Sequence, residues 1–206
     1  MKRIGIMGGT FNPIHFAHLI LAENAYEQFH LDEVVFMPSK RPAYKDLSEL
    51  VSNEHRMNMI KAAVEGNDHF TISDMEFHRE GNTYTADTLK ELNRNDPDTE
   101  YYFIIGGDSL IEIEKWYHPE VVLSLSHVVA ASRNNISSQE IEDKIKELND
   151  KYHSDVRLLK VPNMDISSKM IRSRLEQNQT VRYFLPEAVL QYIKCHNLYQ
   201  KDTGME

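Results

Sequence analysis

The chain has 206 residues, 41% of them hydrophobic and 27% charged, with a formal net charge of −9. That length holds one sizeable core and is short for two full domains, and the acidic balance argues against a surface built for bulk nucleic acid or an anionic membrane. A single cysteine, Cys195, excludes a disulfide framework and a cysteine-rich metal site, and no apolar run has the length of a signal peptide or of a spanning helix, so a soluble cytoplasmic protein is expected.

Ile4-Gly5-Ile6-Met7 predicts a buried first strand, with Gly5 lowering the local strand propensity. Leu19, Ile20, Ala22, Ala25, Tyr26 and Phe29 recur at helical spacing and predict a helix over 17–29. Between them runs Gly8-Gly9-Thr10-Phe11-Asn12-Pro13-Ile14-His15-Phe16-Ala17-His18. In a strand–glycine turn–helix arrangement, glycines let the backbone approach a ligand closely. The helix start adds unpaired N–H groups and a positive dipole end. Together these make an anion site suited to phosphate. His15 and His18 can both face that anion, and imidazole can stabilise charge that builds on a phosphoryl group. Thr10 adds a hydroxyl. A zinc reading of His-x-x-His lacks a nearby third ligand.

Val34-Val35-Phe36-Met37 predicts a second strand, buried on both faces. Residues 39–52, with Pro42 and two lysines, form a long loop of the kind that tends to be functional. A helix over 53–65, capped by Ser52, a short strand over 70–73 and a helix over 83–92 follow. Tyr101 to Ile105 predicts a strand ending in Gly106-Gly107-Asp108, with Asp108 as a candidate cap for a helix over 109–115. A strand over 127–131, a helix over 138–152 and a strand over 156–161 come next. Helices over 167–175 and 186–195 close the chain, the first capped by Ser167 or Ser168 and the second with Pro186 in its first turn. Alternating strands and helices imply an α/β, doubly wound, mainly parallel sheet with helices on both faces. One domain spans 1–199, with a small helical appendage from about Ile166. Residues 200–206 are polar and expected to be disordered.

A dinucleotide oxidoreductase would carry G-x-G-x-x-G after the first strand and an acid about 20 residues on. Gly5-x-x-Gly8-Gly9 has the wrong spacing, and the second strand ends in Pro38-Ser39-Lys40-Arg41. Hydride transfer is disfavoured on these residues alone. Ile166-Ser167-Ser168-Lys169-Met170-Ile171-Arg172 places hydroxyls and N–H groups at a helix start with a guanidinium one turn in. Taken alone, it is an ordinary capped amphipathic helix.

The first stretch resembles the GGTF-D/N-P-x-H-x-G-H signature of the HxGH nucleotidyltransferases, and 166–172 resembles their ISSTxIR signature. Further matches resemble the bacterial nicotinate mononucleotide adenylyltransferases. They are Pro38 to Lys45, His55-Arg56-Met57, Tyr84-Thr85-Ala86-Asp87-Thr88, Ile105 to Asp108 and Lys115-Trp116-Tyr117. The resemblance runs from Lys2 to about Tyr199. Ala17 replaces the glycine between the histidines, Asn12 stands where many members have Asp, and Tyr44 stands where a loop histidine is common.

The resemblance implies a Rossmann-like nucleotidyltransferase domain that joins the AMP moiety of ATP to nicotinate mononucleotide, giving deamido-NAD and pyrophosphate in NAD biosynthesis. His15, His18 and Arg172 would be catalytic. Gly8, Gly9, Thr10, Phe11, Gly106, Asp108, Ile166, Ser167 and Ser168 would bind ATP. Lys45, Thr85, Trp116, Tyr117 and Arg133 would bind nicotinate mononucleotide. Within that set, the Thr85 N–H would meet the nicotinate carboxylate, and Trp116 with Tyr117 would stack on the pyridine. Mg²⁺ would arrive with ATP, with no protein metal site. Partners would be these two nucleotides, with no nucleic acid and no membrane, and a homo-oligomer is compatible. A sister nucleotidyltransferase with another phosphate acceptor and a non-catalytic nucleotide sensor are the alternatives.

Overall fold

The computed structural model describes residues 1–41, 49–131 and 138–200, with Ser138 described by its backbone alone. Among the described residues six strands form one sheet: β1 (Lys2–Gly9), β2 (Glu33–Pro38), β3 (Phe70–Ile72), β4 (Thr99–Gly106), β5 (His127–Ala131) and β6 (Val156–Leu159). Their order is β3-β2-β1-β4-β5-β6 and every neighbouring pair is parallel. The helices are α1 (Phe16–Gln28), α2 (Asn53–Val64), α3 (Thr85–Asn95), α4 (Gly107–Ile111), α5 (Pro119–Leu125), α6 (Ser138–Tyr152), α7 (Ser168–Glu176) and α8 (Glu187–Cys195). This is the doubly wound, Rossmann-like α/β sheet expected, with all pairings parallel.

The inner stretches of the central strands, residues 4–7 and 101–105, carry no polar side chain apart from the tyrosine hydroxyls because both faces are covered. Along β4 the side chains alternate. Tyr101, Phe103 and Ile105 pack with α3, α4, α5 and α6, and Tyr102 and Ile104 pack with α1, α2, α7 and α8. That is the period-2 rule acting on a strand with two cores. Ile171, Val189, Leu190 and Ile193 of the closing helices lie in the same cluster as Leu21 of α1 and Met59 of α2. The C-terminal segment is thus woven into one face of the sheet. Among the described residues no helix is long and apolar enough to cross a membrane.

Two features position the site. The chain leaves β1 toward β2 on one side and returns to β4 on the other. Helix α1, after β1, covers one face, and α4, after β4, covers the other. The carboxyl ends of β1 and β4 therefore border a crevice at the point where strand order reverses, the place such sheets bind ligands.

The second is the end of β1 itself. Gly8 and Gly9 are the last two residues of the strand, not the turn. The turn falls on Phe11, with φ 49°, and on the cis Asn12–Pro13 bond. Two elements went unpredicted: α5, and a 3-10 turn over Met75–His78. The expected helix over 109–115 is α4 followed by a 3-10 turn over Ile113–Lys115. Of the expected loop, 42–48 lie outside the described residues, as do 201–206 of the expected tail.

Gly5 has a packing reason. A Cβ there would lie 2.8 Å from Leu31 Cδ1, 3.1 Å from Val34 Cγ2 and 3.2 Å from Ile104 Cδ1. Its missing side chain lets the segment after α1 close onto the sheet. Gly5→Ala is therefore expected to destabilise the protein by about 1–3 kcal/mol, read as a lower midpoint in urea denaturation with an unchanged slope.

Candidate active site

An open cleft of about 840 Å³ lies over the reversal point. From the β1–α1 connection it is lined by Gly8, Gly9, Thr10, Phe11, Asn12, His15 and His18. Gly106 and Asp108 come from the β4–α4 connection, Ser167, Ser168 and Arg172 from the start of α7, Thr85 from the start of α3, and Trp116 and Tyr117 from beyond α4. Ile166 does not line the cleft and packs instead against the core cluster that α1, α2, α7 and α8 share. Lys45 and Arg133 lie outside the described residues.

The two histidines form a unit. His15 is the N-cap of α1 and His18 its third residue. The backbone N–H of His15 donates to Nδ1 of His18 at 3.3 Å, and the two rings stack with centroids 3.8 Å apart. Because Nδ1 of His18 accepts, the neutral ring carries its proton on Nε2 and keeps a donor there. Phe11, 1% exposed, sets its ring edge-on to His18 at 5.0 Å. A Cβ on Gly9 would stand 3.2 Å from the Phe11 ring, so Gly9 makes room for the residue that backs the imidazole.

Arg56 holds this turn from beneath. It is fully buried, on the α2 stripe shared with Met59, Ile60 and Val64. Its Nη1 donates to the Thr10 carbonyl at 2.8 Å and to the Ser39 carbonyl at 2.7 Å, tying the loops after β1 and β2 together. Nη2 reaches the Lys40 carbonyl at 3.4 Å. Burial lowers the guanidinium pKa to about 10, so the group is still cationic at neutral pH. Its bonds to carbonyls leave a positive charge under the β1–α1 end of the cleft.

Helix α7 closes the other side. The Ser167 oxygen accepts from the Met170 N–H at 3.2 Å, the N-cap bond, and leaves the Ser167 hydroxyl proton available. Ser168 Oγ donates to the Pro13 carbonyl at 2.8 Å. Arg172 Nη1 donates to the Asn12 carbonyl at 3.0 Å, and Nη2 pairs with the Glu49 carboxylate. The Asn12 side chain is the common node. Nδ2 donates to the Glu49 carbonyl at 2.9 Å, and Oδ1 accepts from the Val51 N–H at 3.3 Å and from the Tyr199 hydroxyl at 2.8 Å. Burial raises the Tyr199 phenol pKa and keeps it a donor.

At the far end of the cleft Tyr84 caps α3. The amides of Asp87 and Thr88 turn back to the Tyr84 carbonyl at 3.1 and 3.2 Å, so Thr85 and Ala86 supply the first-turn donors. Tyr84 and Tyr117 are in ring contact at 4.4 Å, and Trp116 stands edge-on to Phe103 at 6.2 Å. Glu76 lines the cleft, accepts from Thr88 Oγ at 2.6 Å and has its carboxyl pKa raised by burial. Asp108 is exposed and sits inside the first turn of α4, because Gly106 takes the N-cap position expected for it.

Sequence reasoning gave no role to Arg56, Glu49, Glu76 or Tyr199. For Arg56 a signal existed: it precedes Met59, Ile60 and Val64 at spacings of three, four and eight, so it falls on the apolar stripe of its helix. Tyr199→Phe would take one donor from Asn12. The expected cost is about 1 kcal/mol, lowering the thermal midpoint by roughly 2–4 °C as measured by calorimetry.

The cytidylyltransferase-like family matches residues 6–174. A Lachnoclostridium phytofermentans protein named "Probable nicotinate-nucleotide adenylyltransferase" is 61% identical over 199 residues, covering 97% of this chain and 100% of its own length. A Desulfitobacterium hafniense protein of the same name is 43% identical over 97% of this chain and 96% of its own. In three dimensions the chain is similar to "Plasmodium falciparum nicotinic acid mononucleotide adenylyltransferase complexed with NaAD", with a TM-score of 0.81 and 23% identity over 97% of this chain and 98% of the other. At that identity the likeness is one of fold. The identity to the bacterial relatives, sustained from one end of the described fold to the other, makes the chain a member of the nicotinate-nucleotide adenylyltransferase family within the cytidylyltransferase-like proteins.

Proposed function

We infer that the chain transfers the AMP moiety of ATP to nicotinate mononucleotide, releasing pyrophosphate and forming deamido-NAD. The observation that supports this best is the convergence of the stacked His15–His18 pair and the start of α7 on the end of β1. An oxygen of the acceptor's 5′-phosphate attacks the α-phosphorus of ATP, the bond to the bridging oxygen breaks, and pyrophosphate leaves. No protein nucleophile is needed. The protein's task is to align two anions and stabilise the charge between them.

His18 offers its Nε2–H to the α-phosphate and His15 adds a second imidazole. The backbone of Gly8 to Phe11 frames the phosphates over the buried charge of Arg56. Arg172 and the Ser167 hydroxyl receive the departing pyrophosphate. Ser168, with its hydroxyl proton on Pro13, contributes through its backbone N–H at the first position of α7. Gly106 and Asp108 border the nucleoside.

Among the described residues no group of three or more His, Cys, Asp or Glu is placed to hold a metal. Mg²⁺ would be carried by the triphosphate and water, with Asp108, which lines the cleft, as the carboxylate able to contribute from the rim. Bound there, Mg²⁺ would neutralise phosphate charge. The acceptor's carboxylate meets the Thr85 and Ala86 amides at the positive end of α3, and its ring lies by Trp116 and Tyr117. An amide in place of the carboxylate would turn N–H donors toward N–H donors and lose the charge. Lys45 and Arg133 are proposed for the mononucleotide phosphate.

Pyrophosphate release from ATP and Mg²⁺, with nicotinate and nicotinamide mononucleotides in parallel, tests this. Strong turnover with the acid and little with the amide is expected. Equal use of both would remove the account of Thr85, and no turnover with either would overturn the reaction. His18→Ala is expected to lower kcat on the order of 100-fold while ATP binding changes far less. Equal losses in both would refute a transition-state role for this imidazole.

A further inference from the structure

We propose that Glu49 is a positioning residue that holds Arg172 in the empty site and exchanges with pyrophosphate on the same guanidinium, so that an internal carboxylate competes with the product for its binding site. The proposal rests on the phosphate-binding role of Arg172 argued above.

The geometry has three parts. The Arg172 side chain is 16% exposed, and its two terminal nitrogens are engaged, one on the Asn12 carbonyl and the other on the Glu49 carboxylate. A guanidinium binds carboxylate and phosphate oxygens through the same planar fork, so the Glu49 oxygen stands where a phosphate oxygen would go. Both residues line the cleft.

The backbone of Glu49 is fixed while its side chain is not enclosed. Asn12 Nδ2 donates to the Glu49 carbonyl and Asn12 Oδ1 accepts from Val51, so one side-chain amide grips the segment at both ends. The Glu49 side chain is 63% exposed and can swing into water without breaking either bond. Asn12 is suited to this where an aspartate is not. A carboxylate at position 12 has no N–H for the Glu49 carbonyl, and it would set a second acid beside Arg172.

The exchange keeps a half-buried cation paired at every stage. Triphosphate enters as Glu49 leaves, and pyrophosphate departs as Glu49 returns. A cation stripped of its anion in such a place is costly, so an enzyme without Glu49 would hold pyrophosphate more tightly. The pair is partly exposed, which bounds the effect at a few-fold.

The test is Glu49→Gln in the full chain. Pyrophosphate binding with Mg²⁺ is measured by calorimetry and by product inhibition, alongside KM for ATP and kcat. Pyrophosphate is expected to bind about two- to five-fold more tightly, and KM for ATP to fall with no rise in kcat. Glu49→Asp, which keeps a carboxylate, is expected to lie closer to the parent enzyme. A contact that only supports the fold would give the opposite sign, a lower thermal midpoint and weaker pyrophosphate binding. Unchanged or weaker pyrophosphate binding in Glu49→Gln, with the parent enzyme turning over normally, overturns the proposal. A parent enzyme that turns over but binds no pyrophosphate, or whose Arg172→Lys variant binds it equally well, overturns the role of Arg172 first and this exchange with it.

Discussion

Everything in the site hangs from the side-by-side alignment of β1 and β4. In that register Ile6 of β1 lies beside Val35 of β2 on one edge and Phe103 of β4 on the other. The strands are parallel, so all three end at the same rim. The connections from β1 and β4 then leave to opposite faces, and the open cleft lies between them. A crevice follows from this topology before any catalytic residue is considered. The side chains then decide what the crevice can hold.

Strand ends bring a difficulty as well as an opportunity. Past the last ladder bond, the carbonyls and amides at a rim must find partners or remain open to water. Here three side chains tie the rim to distant segments. Arg56 spans the carbonyls of Thr10 and Ser39, Asn12 spans residues 49 and 51, and Ser168 takes the carbonyl of Pro13. The result is a turn fixed from below, from one side and from above. Such a turn can hold two imidazoles in ring-to-ring contact without spending ligand-binding energy on ordering them. The positive charge left on Arg56 also favours an anion over the same turn, though it touches none of the exposed donors.

Much of this could be read from the residues. The apolar runs of β2, β4 and β5 and the capped start at Ser52 gave the alternation of strands and helices, because local pattern and tertiary role agree there. Helix α5 escaped because its seven residues show no long amphipathic repeat, although Pro119 at its first position is a start signal. The sequence pattern puts the turn after β1 on glycine, whereas the left-handed conformation falls on Phe11. Its ring is held by burial against His18 and Phe36, a tertiary effect that local propensity does not carry. The cleft residues were legible where motif and strand end coincide, as at His15, His18 and Gly106. The supports were not. The spacing of Arg56 marks its burial but not its partners, and the contacts of Asn12 and Tyr199 span tens to nearly 200 residues, which no local spacing records.

The span of those contacts bears on how the protein is made. Asn12 meets Arg172 across 160 residues and Tyr199 across 187. During synthesis the β1 turn and Arg56 emerge well before Arg172 and Tyr199, which complete its contacts. A nascent chain can therefore pair its first strands and still have an incompletely tied turn until α7 and Tyr199 have left the ribosome. The same arithmetic applies to proteolysis. Loss of the residues beyond α8 would spare every strand of the sheet and yet take the Tyr199 hydroxyl from Asn12.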